Sequence, residues 1–301
     1  FRATSSGKMD RPTANETAHS PIPMDCHMHT PLCGHARGMP EQYVRAAGQR
    51  GLERITFTCH TPLDLDGFGG PGIRMAPQRL PEYLEHIARA KELGATLNVE
   101  VLLGIEAEIT PDERALERMD ALLANTPFDF ILGSLHHQLP SYRDHIAHLG
   151  LTQDEAIIRH YFQEVVRGIE SGRYHSVAHP DVIRIYGTVE PFHPAGYEPE
   201  IREVLRAAKR KGVCLEINTS GLTKGVFELH PQPNILEWVR EEGVELTIGS
   251  DSHKPESVAQ FFPEVAATLK EVGISQLNYF RKGQRHPVPL APSLEPETEP
   301  R

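Results

Sequence analysis

Residues 22–29 read IPMDCHMH, and this stretch carries the pattern that decides the fold. Ile22–Cys26 is a short apolar segment typical of a buried strand, and His27 and His29 follow at its end. Residues two apart in an extended segment point to the same side, so these two imidazoles could bind one ion together. A lone His-x-His pair is more often incidental, so its meaning depends on the rest of the chain.

The same kind of segment recurs along the chain, in alternation with helix-like segments. The strand candidates are Ile22–Cys26, Arg54–Cys59, Val99–Ile105, Phe128–Leu135, His175–Ala178, Val213–Asn218 and Glu245–Gly249. The helix candidates are Pro40–Gln49, Pro81–Leu93, Asp112–Ala124, Gln153–Glu170, Pro199–Lys211, Gln232–Glu241 and Pro255–Val272. Such succession favours parallel strands with right-handed crossovers. A distorted, TIM-like (β/α)7 barrel of the α/β class is therefore predicted, one unit short of the usual eight.

Two polar termini flank this predicted barrel. Residues 1–21 show no hydrophobic period and are predicted to be a disordered leader. Residues 283–301 are rich in Pro and Glu, which predicts a loose tail. The catalytic domain is therefore expected to span residues 22–282.

Charge and composition narrow the classes of partner. The formal net charge of −10 disfavours nucleic acid and anionic membrane surfaces as partners, because neither attracts an acidic protein over long range. No apolar run approaches the roughly 20 residues of a membrane span. A small anionic substrate stays possible, since bound metal can reverse the local sign of the charge. The sequence does not fix the oligomeric state, and a homo-oligomer is possible.

The chain has 4 cysteines, and none is arranged as Cys-x-x-Cys. They are Cys26, Cys33, Cys59 and Cys214. Most fall in predicted strands or at their ends, so buried free thiols are a better interpretation than disulfides. A reducing cytoplasmic location is therefore expected.

Metal-type side chains follow six of the seven predicted strands, at the ends that meet on one face of a parallel barrel. In chain order they are His27, His29, His35, His60, Glu106, His136, His179, Asp251 and His253. Burying so many polar groups would be costly unless ions satisfied them. Imidazole and carboxylate without thiolate suit Zn, Fe or Mn, and the set is too large for one ion. Two to three divalent metal ions are therefore predicted.

Seven motifs between Met24 and Lys282 resemble the PHP superfamily, and most of all its histidinol-phosphatases. In chain order they are DCHMHTPLCGHARG, ITFTCHTP, GIEAEI, FILGSLHH, VAHPDVI, LEINTSGL and IGSDSHKPE. The resemblance implies a distorted (β/α)7 barrel with a trinuclear metal centre. It also implies hydrolysis of a phosphate monoester, with L-histidinol phosphate as the substrate.

Carried over residue by residue, the resemblance implies three ion sites in which Glu106 bridges the first two. The ligands would be His27, His29, Glu106 and Asp251 for the first ion, Glu106, His136 and His179 for the second, and His35, His60 and His253 for the third. Glu106, Asp251 and His253 are assigned to catalysis. Two positions depart from the family pattern: Cys59 stands where an acidic residue is expected, and His137 where an apolar or aromatic residue is usual.

The hypothesis for the reaction is in-line attack on phosphorus by a hydroxide that bridges the first two ions, while the third ion binds phosphate oxygens. Arg74 and Arg184 are candidates for phosphate binding, because guanidinium groups fork phosphate oxygens well. Asn218 and Ser220 are candidates for contacts with the other end of the substrate, and Glu108 could pair with its positive charge.

Three alternatives remain open at this stage. The first is a PHP enzyme with a different small phosphate ester or nucleotide as substrate. The second is a metal-dependent amide hydrolase on a similar barrel, although Glu106 fills the bridging position there. The third is a metal-binding protein without turnover, which the intact ligand set disfavours.

Overall fold

The computed structural model describes residues 19–290 and contains one seven-stranded parallel sheet whose strands lie in chain order. The strands are β1 (Met24–Asp25), β2 (Arg54–Phe57), β3 (Glu100–Glu108), β4 (Phe130–Ser134), β5 (Ser176–Val177), β6 (Cys214–Asn218) and β7 (Leu246–Gly249). Residues such as Ile105, Leu132 and Ile217 are fully buried, as expected for strands covered on both faces. The predicted α/β barrel with seven parallel strands is confirmed.

Helices connect successive strands. Within residues 19–290 they are α1 (Pro40–Gln49), α2 (Leu80–Leu97), α3 (Glu113–Asn125), α4 (Pro140–His148), α5 (Asp154–Glu170), α6 (Glu198–Lys211), α7 (Pro233–Glu242) and α8 (Phe262–Val272). Pro40 opens α1 as predicted, and Asp112 caps α3 by accepting from the backbone N–H groups of Arg114 and Ala115. None of these helices combines the length and the apolar character that a membrane crossing requires.

The first and last strands of the sheet meet and close the barrel. The Cys26 N–H donates to the Ile248 carbonyl at 2.9 Å. Beyond the ends of both strands, the His29 N–H donates to the Ser252 carbonyl at 2.9 Å, and the Ser252 N–H donates to the His27 carbonyl at 3.3 Å. The closing seam therefore lies at the end of the barrel where the predicted ligands are.

Several predicted boundaries are wrong. Strand β3 continues to Glu108, so Glu106 and Glu108 lie within the strand rather than after it. Helix α4 was not predicted. The helix predicted from Pro255 is split, because Pro255–Ser257 forms only a 3-10 turn before α8 begins.

The end of the described chain also differs from the prediction. Strands β8 (Gln276–Arg281) and β9 (Gln284–Pro289) form an antiparallel hairpin. The loose tail predicted from residue 283 is therefore wrong for 284–289, where prolines are tolerated because β9 is an edge strand. Residues 1–18 and 291–301, which include most of the predicted leader and the rest of the tail, lie outside the described residues.

Candidate metal centre

A cavity of about 630 Å³ opens at the C-terminal ends of the parallel strands. Seven of the nine predicted ligands line it: His35, His60, Glu106, His136, His179, Asp251 and His253. His27 and His29 lie beneath it, and both are fully buried. The structure therefore brings all nine predicted ligands to one end of the barrel.

Glu106 lies at the centre of this cluster, and its two carboxylate oxygens face different histidines. Oε1 lies 3.4 Å from the Nε2 atoms of both His136 and His179. Oε2 lies 3.6 Å from the Nε2 atoms of His27 and His29. This division separates the predicted ligands of the first ion from those of the second, as a bridging carboxylate requires. His60 Nδ1 also approaches Oε2, at 2.8 Å.

Asp251 completes the group around His27 and His29. Its Oδ1 atom lies 3.1 Å from His29 Nε2 and 3.6 Å from His27 Nε2. Its Oδ2 atom accepts a hydrogen bond from the Ser220 hydroxyl at 3.0 Å and lies 3.4 Å from Lys224 Nζ. One carboxylate oxygen therefore faces the imidazoles while the other is held in place by neighbouring donors.

The remaining histidines form a third group on the cavity wall. His35 Nε2 and His253 Nε2 lie 2.9 Å apart. The rings of His35 and His60 are stacked with their centroids 5.5 Å apart. Ligand atoms of His60 and His253 lie within 4.8 Å of a ligand atom of His29, which is a predicted ligand of the first ion, and the grouping of His35, His60 and His253 around one ion stays a prediction.

Buried carboxylates orient several of these imidazoles. Glu216 Oε1 lies 2.7 Å from His27 Nδ1, and Glu108 Oε2 lies 2.9 Å from His136 Nδ1. Each contact leaves the Nε2 atom of the histidine free to bind a metal, which is the usual arrangement around metal-binding histidines. The sequence interpretation missed Glu216. A charged residue inside the apolar strand segment LEIN was the signal that could have identified it.

The surrounding imidazoles also set the charge of the central carboxylates. Burial opposes ionisation of Glu106, but the nearby His60, His136 and His27 outweigh it and hold the pKa of its carboxyl well below the usual range. The same balance, with Lys224 and His27 as the cations, lowers the pKa of Asp251 well below its ordinary value. Both carboxylates are therefore anionic ligands near neutral pH.

Two of the predicted ligands have strained backbones. His179 has φ of 26° and Asp251 has φ of 51°, in the left-handed region that residues other than glycine rarely adopt. Such conformations persist where the surrounding structure imposes them, and they concentrate at functional sites.

The residues present fit divalent metal ions. Both oxygens of Glu106 are buried without a hydrogen-bond partner. Buried polar atoms in folded proteins are nearly always satisfied, so these atoms point to an ionic partner. Ligand atoms of His27, His29 and Asp251 lie within 4.8 Å of one another, as do those of His60, Glu106 and His136. Imidazole and carboxylate donors suit Zn, Fe or Mn.

The structure does not bring either predicted phosphate-binding arginine to the cavity. Arg74 is almost fully buried, where it forms an ion pair with Glu108 and donates from Nε to the Phe68 carbonyl at 2.6 Å. Arg184 donates to Asp181 at 2.8 Å and to Glu228 at 2.6 Å. Because both guanidinium groups contact carboxylates, this geometry does not support the prediction that they bind phosphate.

The other predicted substrate contacts divide between the wall and the interior. Ser220 lines the cavity, but its hydroxyl donates to Asp251. Asn218 is fully buried, and its amide donates to Glu216 at 3.0 Å, so its predicted contact with the substrate is not supported. Glu108 contacts Arg74 and His136 instead of facing the cavity. The cationic side chains that do line it include Arg37, Lys224 and Lys254.

The two departures from the family pattern lie in different surroundings. His137 is fully buried, and its Nε2 contacts the Ile185 carbonyl at 2.9 Å rather than a predicted ligand. Burial lowers the pKa of His137 to about 3, so its imidazole is neutral. Cys59 is also fully buried and accepts a hydrogen bond from the Thr30 hydroxyl at 3.4 Å.

Fold and site together define a metal-dependent hydrolase built on a seven-stranded barrel. The sequence profile of the PHP domain matches residues 25–220, and the chain belongs to this family. A Deinococcus radiodurans protein named "Probable histidinol-phosphatase" is 30% identical over 254 residues, which cover 83% of this chain and 93% of that protein. The Lactococcus lactis protein named "Histidinol-phosphatase" is 27% identical over 263 residues, covering 85% and 94% of the two chains.

Solved structures agree on the fold. The crystal structure of histidinol phosphate phosphatase from Lactococcus lactis, in complex with zinc, L-histidinol and phosphate, superposes with a TM-score of 0.71. The superposition covers 89% of this chain and 99% of that chain, at 22% sequence identity. The barrel therefore extends across almost the whole of that neighbour.

Proposed function

We propose that this hydrolase cleaves L-histidinol phosphate to L-histidinol and phosphate. The observation that carries the proposal is the central position of Glu106, whose two oxygens face two separate sets of histidines. The choice of substrate rests on the names of relatives that are 27–30% identical over more than four fifths of this chain. The bound cofactor would be two to three divalent ions of Zn, Fe or Mn.

Each predicted ligand set has residues that hold it in place. When bound, divalent ions would activate a water molecule and neutralise charge on the phosphate oxygens. Glu216 fixes the orientation of His27, and Glu108 fixes that of His136. Ser220 and Lys224 hold one oxygen of Asp251, so that the other faces His29. Such preorganisation keeps the ligand atoms in position before a substrate arrives.

The cavity wall favours a small anionic substrate. Arg37, Lys224 and Lys254 carry positive charge around the opening, although the chain as a whole has a net charge of −10. A charge concentrated in a cleft attracts an oppositely charged ligand over a distance. All four cysteines are free and buried, which supports the proposed cytoplasmic location. That the chain binds neither nucleic acid nor membranes, and that it could be a homo-oligomer, stay predictions.

A phosphate-release screen tests the proposed substrate. The metal-reconstituted protein would be assayed on histidinol phosphate and on a panel of other small phosphate esters and nucleotides. We expect histidinol phosphate to rank among the highest in kcat/KM. A different phosphate ester ranking far above it would refute the substrate but leave a phosphatase, whereas no phosphate release from any ester would refute the phosphatase itself.

Two variants test the ion sites. His27→Ala and Glu106→Ala should lose bound metal and activity together, because each removes a predicted ligand. Glu100→Ala, on the same strand as Glu106 but at its opposite end, is the matched control and should keep both. Full activity in either ligand variant would contradict the site as described.

A further inference from the structure

Two cysteine thiols lie together behind the third group of histidines. The Sγ atoms of Cys33 and Cys59 and a ring nitrogen of His29 lie within 4.8 Å of one another. Both sulfurs contact Thr30: the Cys33 thiol donates to its carbonyl at 3.1 Å, and its hydroxyl donates to Cys59 Sγ at 3.4 Å. Both cysteines have 0% exposure.

The pair is joined directly to predicted ligands of the third ion. Cys33 precedes His35 by two residues, and Cys59 precedes His60 by one. Cys33 Sγ also lies within 4.8 Å of ligand atoms of His35 and His253, which line the cavity. Cys33 is therefore adjacent to side chains that line the cavity, although its own side chain is not exposed, so an oxidant that reaches it must be small.

We propose that Cys33 and Cys59 are a modification site, at which a peroxide forms a reversible disulfide that weakens the third ion site. The Cys33 sulfur attacks the O–O bond of hydrogen peroxide, giving a sulfenic acid and one water molecule. The Cys59 sulfur then attacks the sulfenic sulfur, forming the S–S bond and releasing a second water. Two thiols and one peroxide thus become one disulfide and two waters, with two electrons passing from sulfur to oxygen.

The geometry explains why the disulfide would disturb metal binding. An S–S bond is about 2.05 Å long, so sulfurs separated by more than this must approach. Cys33 ends the 3-10 turn Pro31–Cys33, and Cys59 follows β2, so an S–S bond between them would link the two segments that carry His35 and His60. Metal-site ligands tolerate little displacement, because coordination distances are defined within about 0.2 Å. Disulfides in reducing compartments are usually transient and regulatory, which agrees with such a role.

The test uses the metal-loaded full chain treated with hydrogen peroxide. We expect a mass loss of about 2 Da per chain, a crosslinked peptide joining Cys33 to Cys59, and loss of about one metal ion per chain. Dithiothreitol should restore the original mass, and added metal should then restore the original metal content. Cys59→Ser should form no such crosslink, whereas the matched control Cys214→Ser should form it as the wild type does.

The outcomes separate this proposal from the proposed substrate. Three results would each overturn the proposed modification. They are stepwise addition of oxygen atoms without a crosslink, a crosslink through Cys26 or Cys214, and a Cys33–Cys59 bond that leaves the metal content unchanged. These readouts need only the wild-type protein, so a folding defect in a variant does not affect them. The effect on turnover rests on the proposed function. Peptide mass and metal content do not, so failure to hydrolyse histidinol phosphate would refute that function alone.

Discussion

Replacing Glu216 with glutamine should weaken metal binding although Glu216 is not itself a predicted ligand. Its carboxylate accepts from three donors: His27 Nδ1 at 2.7 Å, the His179 backbone N–H at 3.0 Å and the Asn218 amide at 3.0 Å. Oε1 faces His27, and Oε2 faces the other two. An amide has one accepting oxygen and one donating nitrogen, so it cannot satisfy both sides.

Either orientation of the new amide disturbs a predicted ligand. With its nitrogen toward His27, the imidazole loses the acceptor that orients it. With its nitrogen toward the other side, it meets the His179 N–H, donor against donor. Losing a hydrogen bond to a charged group costs about 1.5–3 kcal/mol. Since about 1.4 kcal/mol corresponds to a tenfold change in affinity, we expect zinc to bind roughly 10–100-fold more weakly.

Competition with a chromophoric chelator would measure the zinc affinity, with metal content determined by atomic emission. Glu245→Gln is the matched control: Glu245 precedes β7 at the opposite end of the barrel and should leave the affinity unchanged. Circular dichroism would establish that both variants are folded. A folded Glu216→Gln protein with wild-type zinc affinity would refute the view that this carboxylate positions the ligands.

Three further changes test other parts of the structure. Gly249→Ala should lower the free energy of unfolding by about 1–3 kcal/mol and reduce bound metal, because the new Cβ would lie 2.3 Å from both His27 Cβ and Glu216 Oε1. Gly196→Ala is the control, because a Cβ added at Gly196 has no atom within 4 Å. Burial lowers the pKa of His175 to about 4 from 6.5, so between these two pH values the unfolded chain binds a proton that the folded chain does not. The free energy of unfolding should therefore fall as the pH drops from about 6.5 to about 4. In urea titrations, His175→Asn should reduce that dependence by up to about 1.4 kcal/mol per pH unit, and an unchanged slope would contradict it. Chelation should lower the melting temperature by roughly 10 °C if an ion is present at about a thousand times its Kd, and the Glu106→Ala variant, which keeps only the third predicted ion site intact, should respond less.

The clustering of the predicted ligands could be anticipated from the sequence because each lies close in the chain to the end of a parallel strand. Strand ends are local features, and parallel topology brings them to one face whatever the details of packing. His27, Glu106 and Asp251 are separated by many residues, yet this rule was enough to place them together. The resemblance then added the division into three ion sites.

The contacts of Arg74 and Glu216 could not be predicted in the same way. Arg74 follows a glycine-rich loop, which suggests an exposed phosphate-binding cation, but the loop folds inward and pairs it with Glu108 on another strand. Glu216 acts on His27, 189 residues away in the chain. Such pairs depend on which side chains the closed barrel brings together, and no local pattern specifies them. The prolines of β9 led to the prediction of a loose tail, whereas this segment pairs with β8 as an edge strand, where prolines are tolerated.

The seam that closes the barrel has a consequence for folding. Ser252 pairs with His27 and His29 across the junction, and Asp251 contacts the same two histidines, so the chain segments bordering one ion site are more than 220 residues apart. Metal bound there would link the two ends of the longest loop that the barrel must close, and the entropic cost of closing a loop rises with its length. Removing the metal should therefore first loosen the junction between the first and last strands, which hydrogen exchange at Cys26, His29 and Ser252 would detect before the central strands exchange.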